Sequence, residues 1–223
     1  MDSRLPELVV LDLAGTTVRD RGEVPAAFAA SLAAEGIALP PGGLDAVRGA
    51  SKREVVRAMM PPGPDGDSRA EALFAAFRRQ LAARYRDDTV EAVPGAGKLL
   101  RTLRARGVRS AFNTGFDRDT TALLLRALGW DDAAADAVVC GDDVRAGRPA
   151  PYLIFHAMER TGVRDVRRVA VVGDTALDLE AGYNAGVGWN VGVLTGAHDR
   201  VRLEAAPHTH IVASVADLLA LWF

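Results

Sequence analysis

Short apolar runs alternate with helix-period segments along most of the chain. The apolar runs predict buried β-strands at residues 8–13, 108–113, 137–140, 169–173, 190–194 and 210–213. The segments between them predict helices at residues 95–106, 118–128, 151–161, 177–185 and 215–221. Because single helices separate successive strands, the pattern predicts an α/β fold with a doubly wound parallel sheet. Ligands bind such sheets at the carboxyl ends of the strands, so the residues that follow each strand are the candidates for chemistry.

The stretch from residue 19 to residue 93 departs from this alternation, because it is longer than a crossover requires and shows only helix signals. The signals predict helices at residues 26–34, 51–60 and 68–86, with a turn at residues 61–64. We therefore predict an α/β core at residues 1–18 and 92–223, and a helical cap at residues 19–91 inserted after the first strand. An apolar face on this cap would favour a homodimer through the cap.

The second and third cap helices share a start signal. Ser51 with Glu54, and Ser68 with Glu71, fit the capping-box pattern, in which a serine and a glutamate three residues later satisfy each other's backbone amides. The third helix also carries a single apolar stripe, formed by Leu73, Phe74, Phe77, Leu81 and Tyr85. Both features predict helices that are anchored at their start and packed on one face.

Composition narrows the class of protein. With 49% hydrophobic and 25% charged residues, the chain can bury a core, which excludes a disordered or fibrous protein. The net charge of −2 argues against a dedicated nucleic-acid binder. The single cysteine, Cys140, excludes a disulfide framework and a multi-cysteine zinc site. The apolar runs are too short for a membrane span or a signal peptide, so we expect a soluble, cytoplasmic protein without a membrane partner.

Three carboxylates follow predicted strands. Asp12 closes the first strand, Asp174 follows the fourth, and Asp178 lies one helical turn further on the same side. Together they would make an oxygen-rich site of the kind that Mg²⁺ prefers. The alternative is structural: an aspartate in a strand-end turn, and acids that stabilise the start of a helix.

Groups suited to an anion follow the strands as well. The segment Asn113–Thr114–Gly115 offers a hydroxyl and backbone amides to a phosphate oxygen, and Arg148 precedes a predicted helix where it could pair with an anion. Taken alone, the first segment is more often an ordinary turn than a phosphate site, and the arginine could instead belong to a surface loop.

In chain order, the four segments are the one that begins at Asp12, residues 113–115, the segment around Arg148, and residues 173–178. They resemble the four motifs of the haloacid dehalogenase (HAD) superfamily, and the resemblance covers the whole chain, cap included. It implies that Asp12 attacks phosphorus and forms an aspartyl-phosphate. It also implies that Mg²⁺ is held by Asp12, the backbone carbonyl of Ala14 and Asp174, with Asp178 in support. The transferring phosphoryl group would be bound by Thr114 and Arg148, with Asn113 and Gly115 beside them.

Residue 14 departs from the common HAD pattern. Most HAD phosphatases have a second aspartate there, which protonates the leaving group and then activates water, but this chain has Ala14. The segment Asp12–Leu–Ala–Gly–Thr–Thr17 is instead similar to the phosphonoacetaldehyde hydrolase (phosphonatase) branch, as are the arginine of the third motif and the segment 173–178. That resemblance implies cleavage of a C–P bond after a cap lysine has formed a Schiff base with the substrate aldehyde, a route that does not need the missing acid.

Lys52 stands where the cap lysine of that branch would stand. Of the 27 basic residues only Lys52 and Lys98 are lysine, and an arginine could hold a phosphate but could not form an imine. A position at the first turn of a helix, with Arg48 and Arg53 nearby, predicts a lowered pKa for the Lys52 amine. Lys52 and Arg48 are therefore candidate substrate-binding residues, and Lys52 a candidate catalytic one. The surroundings differ from the branch, since Val55 replaces a histidine, Arg48 a methionine and Phe116 a tyrosine.

The sequence leaves three functions open. The first is a Mg²⁺-dependent, phosphonatase-like hydrolase of a small phosphonate, and the second is a phosphomonoesterase similar to phosphoglycolate phosphatase. The third is a non-catalytic binder of a phosphoryl ligand or a protein-interaction module, for which Ala14 is the main argument. The four histidines show no metal-ligand spacing, and we expect them, His198 included, to be surface or packing residues.

Overall fold

The computed structural model describes residues 5–39, 43–87, 90–130 and 134–223. Its strands form one sheet in which every neighbouring pair is parallel, in the order β3-β2-β1-β4-β5-β6. The strands are β1 (Leu8–Asp12), β2 (Arg109–Asn113), β3 (Ala137–Val139), β4 (Val169–Gly173), β5 (Trp189–Val193) and β6 (His210–Val212). The predicted α/β parallel sheet is therefore confirmed, and the strand bounds agree to within one residue at each end.

Nine helices accompany the sheet in the part of the chain that the structure describes. They are α1 (Glu23–Ala34), α2 (Lys52–Met59), α3 (Pro64–Asp87), α4 (Ala96–Ala105), α5 (Arg118–Ala127), α6 (Tyr152–Thr161), α7 (Ala176–Ala185), α8 (Arg200–Glu204) and α9 (Leu218–Trp222). Short 3₁₀ helices lie at Leu44–Val47, Gly141–Asp143, Val166–Arg168 and Val215–Asp217. None of the helices described is long and apolar enough to cross a membrane.

The central strand β1 is buried along its whole length, because helices cover both faces of the sheet. Its side chains alternate between two apolar clusters, as the pleat of a strand requires. Leu8 and Val10 join the cluster that includes residues of α6 and α7, whereas Val9 and Leu11 join the cluster that includes α4. A strand buried on both sides explains the continuous apolar run in the sequence.

Helices α1, α2 and α3 follow β1 in the chain and form a helical insertion (residues 23–87). The predicted stripe of α3 is buried, with at most 8% of any of its five side chains exposed. Phe77 of this stripe meets Phe28 of α1 edge to face, with ring centroids 5.7 Å apart. These aromatic residues belong to the same apolar cluster as Val9 and Leu11 of the sheet. The insertion and the sheet thus share one continuous core.

The start of α3 differs from the prediction. The helix begins at Pro64, so Ser68 and Glu71 lie inside it and do not form a capping box. Proline is well suited to the first helical position, because the amide it lacks would have no partner there. Glu71 instead pairs with Arg53 of α2, at 2.7 Å. The turn predicted at residues 61–64 is correspondingly shorter.

The start of α2 agrees with the prediction in one half. Ser51 is the N-cap, and its hydroxyl accepts the amide of Glu54 at 3.4 Å. The Glu54 carboxylate, which the capping box would direct back to Ser51, accepts the amide of Gly147 at 2.7 Å. The insertion is therefore bonded to the loop that carries Arg148.

Candidate active site

Asp12 lies at the carboxyl end of β1, directly beside Asn113 of β2 in the sheet register. Its side chain is buried, and its Oδ1 atom accepts a hydrogen bond from Arg148 Nη2 at 2.7 Å. Burial raises the pKa of Asp12 to about 6, against the opposing pull of Arg148 and with a further push from the charge of Asp178. The carboxylate is thus held in a place where its negative charge needs a cation.

Asp174 follows β4 and is also buried. Its Oδ1 atom accepts the hydroxyl of Thr16 at 3.0 Å, and Oδ2 accepts the amide of Ala197 at 2.7 Å. Burial, together with the charges of Asp12 and Asp178, raises the pKa of Asp174 well above its ordinary value. Gly196 explains how the backbone comes so close, since a Cβ atom there would lie 2.0 Å from Oδ2.

Arg148 joins the strand ends. Besides Asp12, its guanidinium donates to the carbonyl and the Oδ1 atom of Asn113 at 3.0 and 2.8 Å, and Nη1 pairs with Asp178 at 2.8 Å. The other oxygen of Asp178 accepts the amide and hydroxyl of Thr175 at 3.0 and 2.5 Å. The side chains of Asn113 and Asp178 therefore hold Arg148 in place. The sequence suggested that Asn113 contacts the substrate and that Asp178 supports the metal.

The three carboxylates fit a divalent cation. One oxygen from each of Asp12, Asp174 and Asp178 can be chosen so that all three lie within 4.8 Å of one another. Burial is the largest cause of the raised pKa values of Asp12 and Asp174, and the repulsion between the carboxylates adds to it. A cation would relieve that repulsion. Hard oxygen donors without histidine or cysteine suit Mg²⁺. Ala14, whose carbonyl is the fourth predicted ligand, lines the same cavity as Asp12 and Asp174.

A cavity of about 70 Å³ opens between the strand ends and the helical insertion. Sites for drug-sized ligands measure roughly 300–1,000 Å³, so this one suits a small substrate. The predicted residues on its wall are Asp12, Ala14, Arg48, Lys52, Thr114, Gly115, Arg148 and Asp174. Its remaining lining is largely apolar and includes Val24, Phe28, Leu44 and Phe116. The structure thus brings the insertion residues Arg48 and Lys52 to the cavity that contains Asp12.

Lys52 is the first residue of α2 and is only 8% exposed. Its amine donates to the carbonyls of Val47 and Ala50 at 2.8 and 3.1 Å, and it lies 5.9 Å from the ring centroid of Phe28. Burial lowers the pKa of Lys52 to about 8, and the charges of Arg48 and Arg148 lower it further while that of Asp20 opposes them. The predicted direction is confirmed. Burial is the largest cause.

The loop before Lys52 packs against the core through two glycines. A Cβ atom on Gly49, whose φ is +77°, would lie 2.4 Å from Thr175 Oγ1. A Cβ atom on Gly115 would lie 3.5 Å from the carbonyl oxygen of Ala50. The backbone of the insertion therefore meets the loops that follow β2 and β4, and the absence of a side chain at Gly49 is what allows the closer of these approaches.

Sequence reasoning missed two residues beside the site. Asp20 lines the cavity and acts electrostatically on Lys52, but it lies outside every motif. His198, expected at the surface or in packing, is 5% exposed and lies against the loop that carries Asp174. Its Nδ1 atom accepts the amide of Ala176 at 2.9 Å, and its backbone amide donates to the carbonyl of Asp174 at 3.2 Å. A lone histidine or aspartate in a loop gives no spacing signal, so only the fold could reveal them.

Buried carboxylates and an arginine at the carboxyl edge of a parallel sheet have the chemistry of a phosphoryl-transfer site, where positioning and charge neutralisation do most of the catalysis. Comparison with known proteins agrees. A sequence model of the haloacid dehalogenase-like hydrolases matches residues 6–186, and the chain belongs to that family. It is a HAD-type hydrolase.

The individual relatives have low sequence identity to this chain. A phosphonoacetaldehyde hydrolase of Parabacteroides distasonis is 31% identical over 129 residues, which cover 58% of this chain and 48% of that protein. The chain thus spans about half the length of the curated relatives it matches. Among solved structures, a hydrolase from Pseudomonas syringae has a TM-score of 0.83 at 27% identity, with 96% of each chain covered. A phosphonoacetaldehyde hydrolase-like protein from Oleispira antarctica has a TM-score of 0.82 at 24% identity, covering 98% of this chain and 92% of that one, and shows the fold.

Proposed function

We propose that this hydrolase cleaves the C–P bond of a small phosphonate that bears an aldehyde, phosphonoacetaldehyde or an analogue. Asp12 is the nucleophile, and Lys52 forms an imine with the aldehyde. The observation that carries the proposal is that a buried lysine of lowered pKa lines the same small cavity as Asp12, while Ala14 leaves the cavity without the usual leaving-group acid. The phosphonoacetaldehyde hydrolases among its relatives support the same chemistry.

Imine formation needs an unprotonated amine. With a pKa of about 8, roughly a tenth of the Lys52 amines are neutral at pH 7, a far larger share than for a lysine in water. The neutral Nζ atom adds to the aldehyde carbon, and the carbinolamine then loses its oxygen as water. The product is a protonated imine. This group withdraws electrons from the carbon next to phosphorus.

C–P cleavage then follows from the two residues together. An oxygen of Asp12 forms a bond to phosphorus as the C–P bond breaks, and the electron pair of that bond passes into the imine to give an enamine. Water hydrolyses the aspartyl-phosphate to phosphate and regenerates Asp12. The enamine takes a proton at carbon, and water releases the aldehyde from Lys52. The sum is one phosphonate and one water converted to one phosphate and one aldehyde.

The strand-end loops would bind the phosphoryl group. The guanidinium of Arg148 lies beside Asp12, where it can balance the charge of the transferring oxygens. Thr114 Oγ1 accepts the amide of Phe116 at 3.1 Å, so its hydroxyl hydrogen is left for a ligand. Mg²⁺ bound by Asp12, Asp174 and the Ala14 carbonyl, with Asp178 in support, would supply further neutralisation of phosphoryl charge. Arg48 contributes a second positive group on the insertion side of the cavity.

We further propose that residues 19–91 act as a cap that closes this cavity over the substrate. The apolar wall from Val24, Phe28 and Leu44 keeps water from the enamine, and the cavity volume restricts the substrate to a few atoms beyond the phosphoryl group.

The decisive experiment replaces Lys52. With phosphonoacetaldehyde and borohydride, the wild type should acquire a reduced adduct on the peptide that contains Lys52. Lys52→Arg should abolish both the adduct and phosphate release, because the guanidinium keeps the charge but cannot form an imine. Lys98→Arg is the matched control, since Lys98 is the other lysine of the chain and is exposed. It should keep both.

Other outcomes would select the remaining candidates. Full phosphate release by Lys52→Arg, on phosphate esters instead of phosphonates, would contradict the imine and favour the phosphomonoesterase. Tight binding of phosphate without turnover of any ester or phosphonate would favour the non-catalytic binder.

A further inference from the structure

The segment from Gly49 to Glu54 contacts the loop that contains Gly147, in addition to the loops that follow β2 and β4. Gly147 lies so close that a Cβ atom on it would be 3.3 Å from both Ser51 Cβ and Glu54 Oε1. Its amide donates to Glu54 Oε1 at 2.7 Å. The next residue along the chain is Arg148, which contacts Asp12. One side chain of the insertion is therefore bonded directly to the loop that holds the phosphoryl-binding arginine.

Glu54 is also fixed at its own end. Its amide donates to the N-cap Ser51, so the carboxylate projects from the first turn of α2, the turn in which Lys52 is the first residue. A negative side chain is favourable there because it faces the positive end of the helix dipole. Since one helical turn is rigid, the Glu54–Gly147 bond sets the position of Lys52 relative to Arg148 and Asp12.

We propose that Glu54 is a positioning residue that holds the start of α2 against the Arg148 loop and so keeps Lys52 buried beside the reacting phosphorus. The consequence for catalysis rests on the proposed function, whereas the burial of Lys52 does not. The bond reaches across 93 positions of the chain. When it is absent, the first turn of α2 swings away from the loop and the amine becomes accessible to solvent.

Reductive methylation with formaldehyde and cyanoborohydride tests this without any turnover. Lys98 is exposed and gives an internal reference in each sample. In Glu54→Ala, the rate at Lys52 relative to Lys98 should rise about five- to tenfold, as expected from loss of one charged but solvent-accessible hydrogen bond. Glu54→Gln keeps an oxygen acceptor for the Gly147 amide and should stay within about twofold of wild type.

Glu71→Ala is the matched control. Glu71 is a partly exposed glutamate of the insertion whose partners, Arg53 and Arg57, lie within the insertion itself. It should leave the relative rate at Lys52 unchanged. The proposal is overturned if Glu54→Ala leaves that rate unchanged, or if Glu71→Ala raises it equally, because a general loosening of the insertion would then explain the effect.

Kinetics give the second readout where the wild type is active. A lysine held in the wrong place slows the chemical step, so Glu54→Ala should lower kcat about tenfold with a smaller change in KM. Glu54→Gln should have a kcat close to that of the wild type. If the wild type turns over no phosphonate, the proposed function fails while the methylation result still decides the role of Glu54. A change confined to KM would contradict the positioning role.

Discussion

Two buried ionisable groups line the same cavity, and they have different partners. At the strand ends, Asp12 is hydrogen-bonded to a buried arginine and lies within a cluster of carboxylates. On the insertion, Lys52 has neutral backbone carbonyls as its acceptors and two arginines among the charges that act on it. Burial favours the uncharged form of both groups and is the largest cause of both pKa shifts. Arg148 opposes this effect at Asp12, whereas Arg48 and Arg148 add to it at Lys52. The charged partners therefore modulate what burial does at each position.

Replacing Asp12 by asparagine should have the largest effect, because it removes the carboxylate at the end of β1. The amide is nearly isosteric but is a poor nucleophile and a weaker cation ligand, so phosphate release should fall at least about 10³-fold with the fold retained. Circular dichroism and thermal unfolding check the fold. Asp119→Asn, at an aspartate with 82% of its side chain exposed, is the control and should keep activity. Residual release above about a thousandth of wild type would contradict the nucleophile assignment.

Ala14→Asp should add the leaving-group acid that position 14 lacks. An acid at this position supplies a proton to an alkoxide leaving group, so activity on simple phosphate esters should rise by about 10²–10⁴-fold. The same substitution should bring no comparable gain on phosphonoacetaldehyde, whose enamine leaving group does not need that acid. The pair of rates, measured by phosphate release, checks both statements. A folded Ala14→Asp protein without gain on any ester would show that position 14 does not limit ester hydrolysis.

The smallest effects should come from the charges around Lys52, and they should have opposite signs. Because the neutral amine reacts, adduct formation should rise with pH through about 8 and level off above it. Removing the Asp20 carboxylate takes away a charge that favours the protonated form, so Asp20→Asn should move the midpoint to lower pH. Arg48→Met removes a charge that disfavours it and should move the midpoint to higher pH. The measurement is the pH dependence of borohydride trapping on the Lys52 peptide.

Arg53→Met supplies the control for this pair. The sequence placed Arg53 near Lys52, but its guanidinium pairs with Glu71, and its substitution should leave the midpoint unchanged. A shift in Arg53→Met equal to that in Arg48→Met would mean that overall charge, and not the local arrangement, sets the pKa of Lys52.

Most of the strands could be predicted because each is a short apolar run between polar turns, and their alternation with helices indicated a parallel sheet. The pairing of β1 with β4 was not predicted, because these strands are not consecutive in the chain. Because ligands bind such sheets at the carboxyl ends of the strands, the sequence also predicted that Asp12 and Asp174 lie at the same edge of the sheet. The start of α3 could not be read in the same way. Ser68 and Glu71 have the spacing of a capping box, yet Pro64 is the stronger start signal and the helix reaches back to it.

Contacts distant in sequence were out of reach for a different reason. The partner of Glu54 is a backbone amide on a separate loop, and an amide carries no sequence signature. Asn113 was a candidate because its segment offers a hydroxyl and backbone amides to a phosphate, and nothing in the sequence indicated that its Oδ1 atom accepts a hydrogen bond from Arg148. Local patterns identify which groups can react, whereas the tertiary fold decides which partner each of them meets.

The sheet order has a consequence for how the protein is made. Strand β1 precedes the other described strands in the chain but lies in the middle of the sheet, with Leu8 paired to Arg109 on one side and to Val169 on the other. At about 5–20 residues per second, synthesis takes several seconds to reach the first of these partners and longer to reach the second. During that time a strand of four apolar residues and Asp12 has no neighbour, and the helices of residues 23–87 are the first described helices that can shield it. The nascent chain should accordingly depend on chaperones most between the emergence of β1 and that of β4.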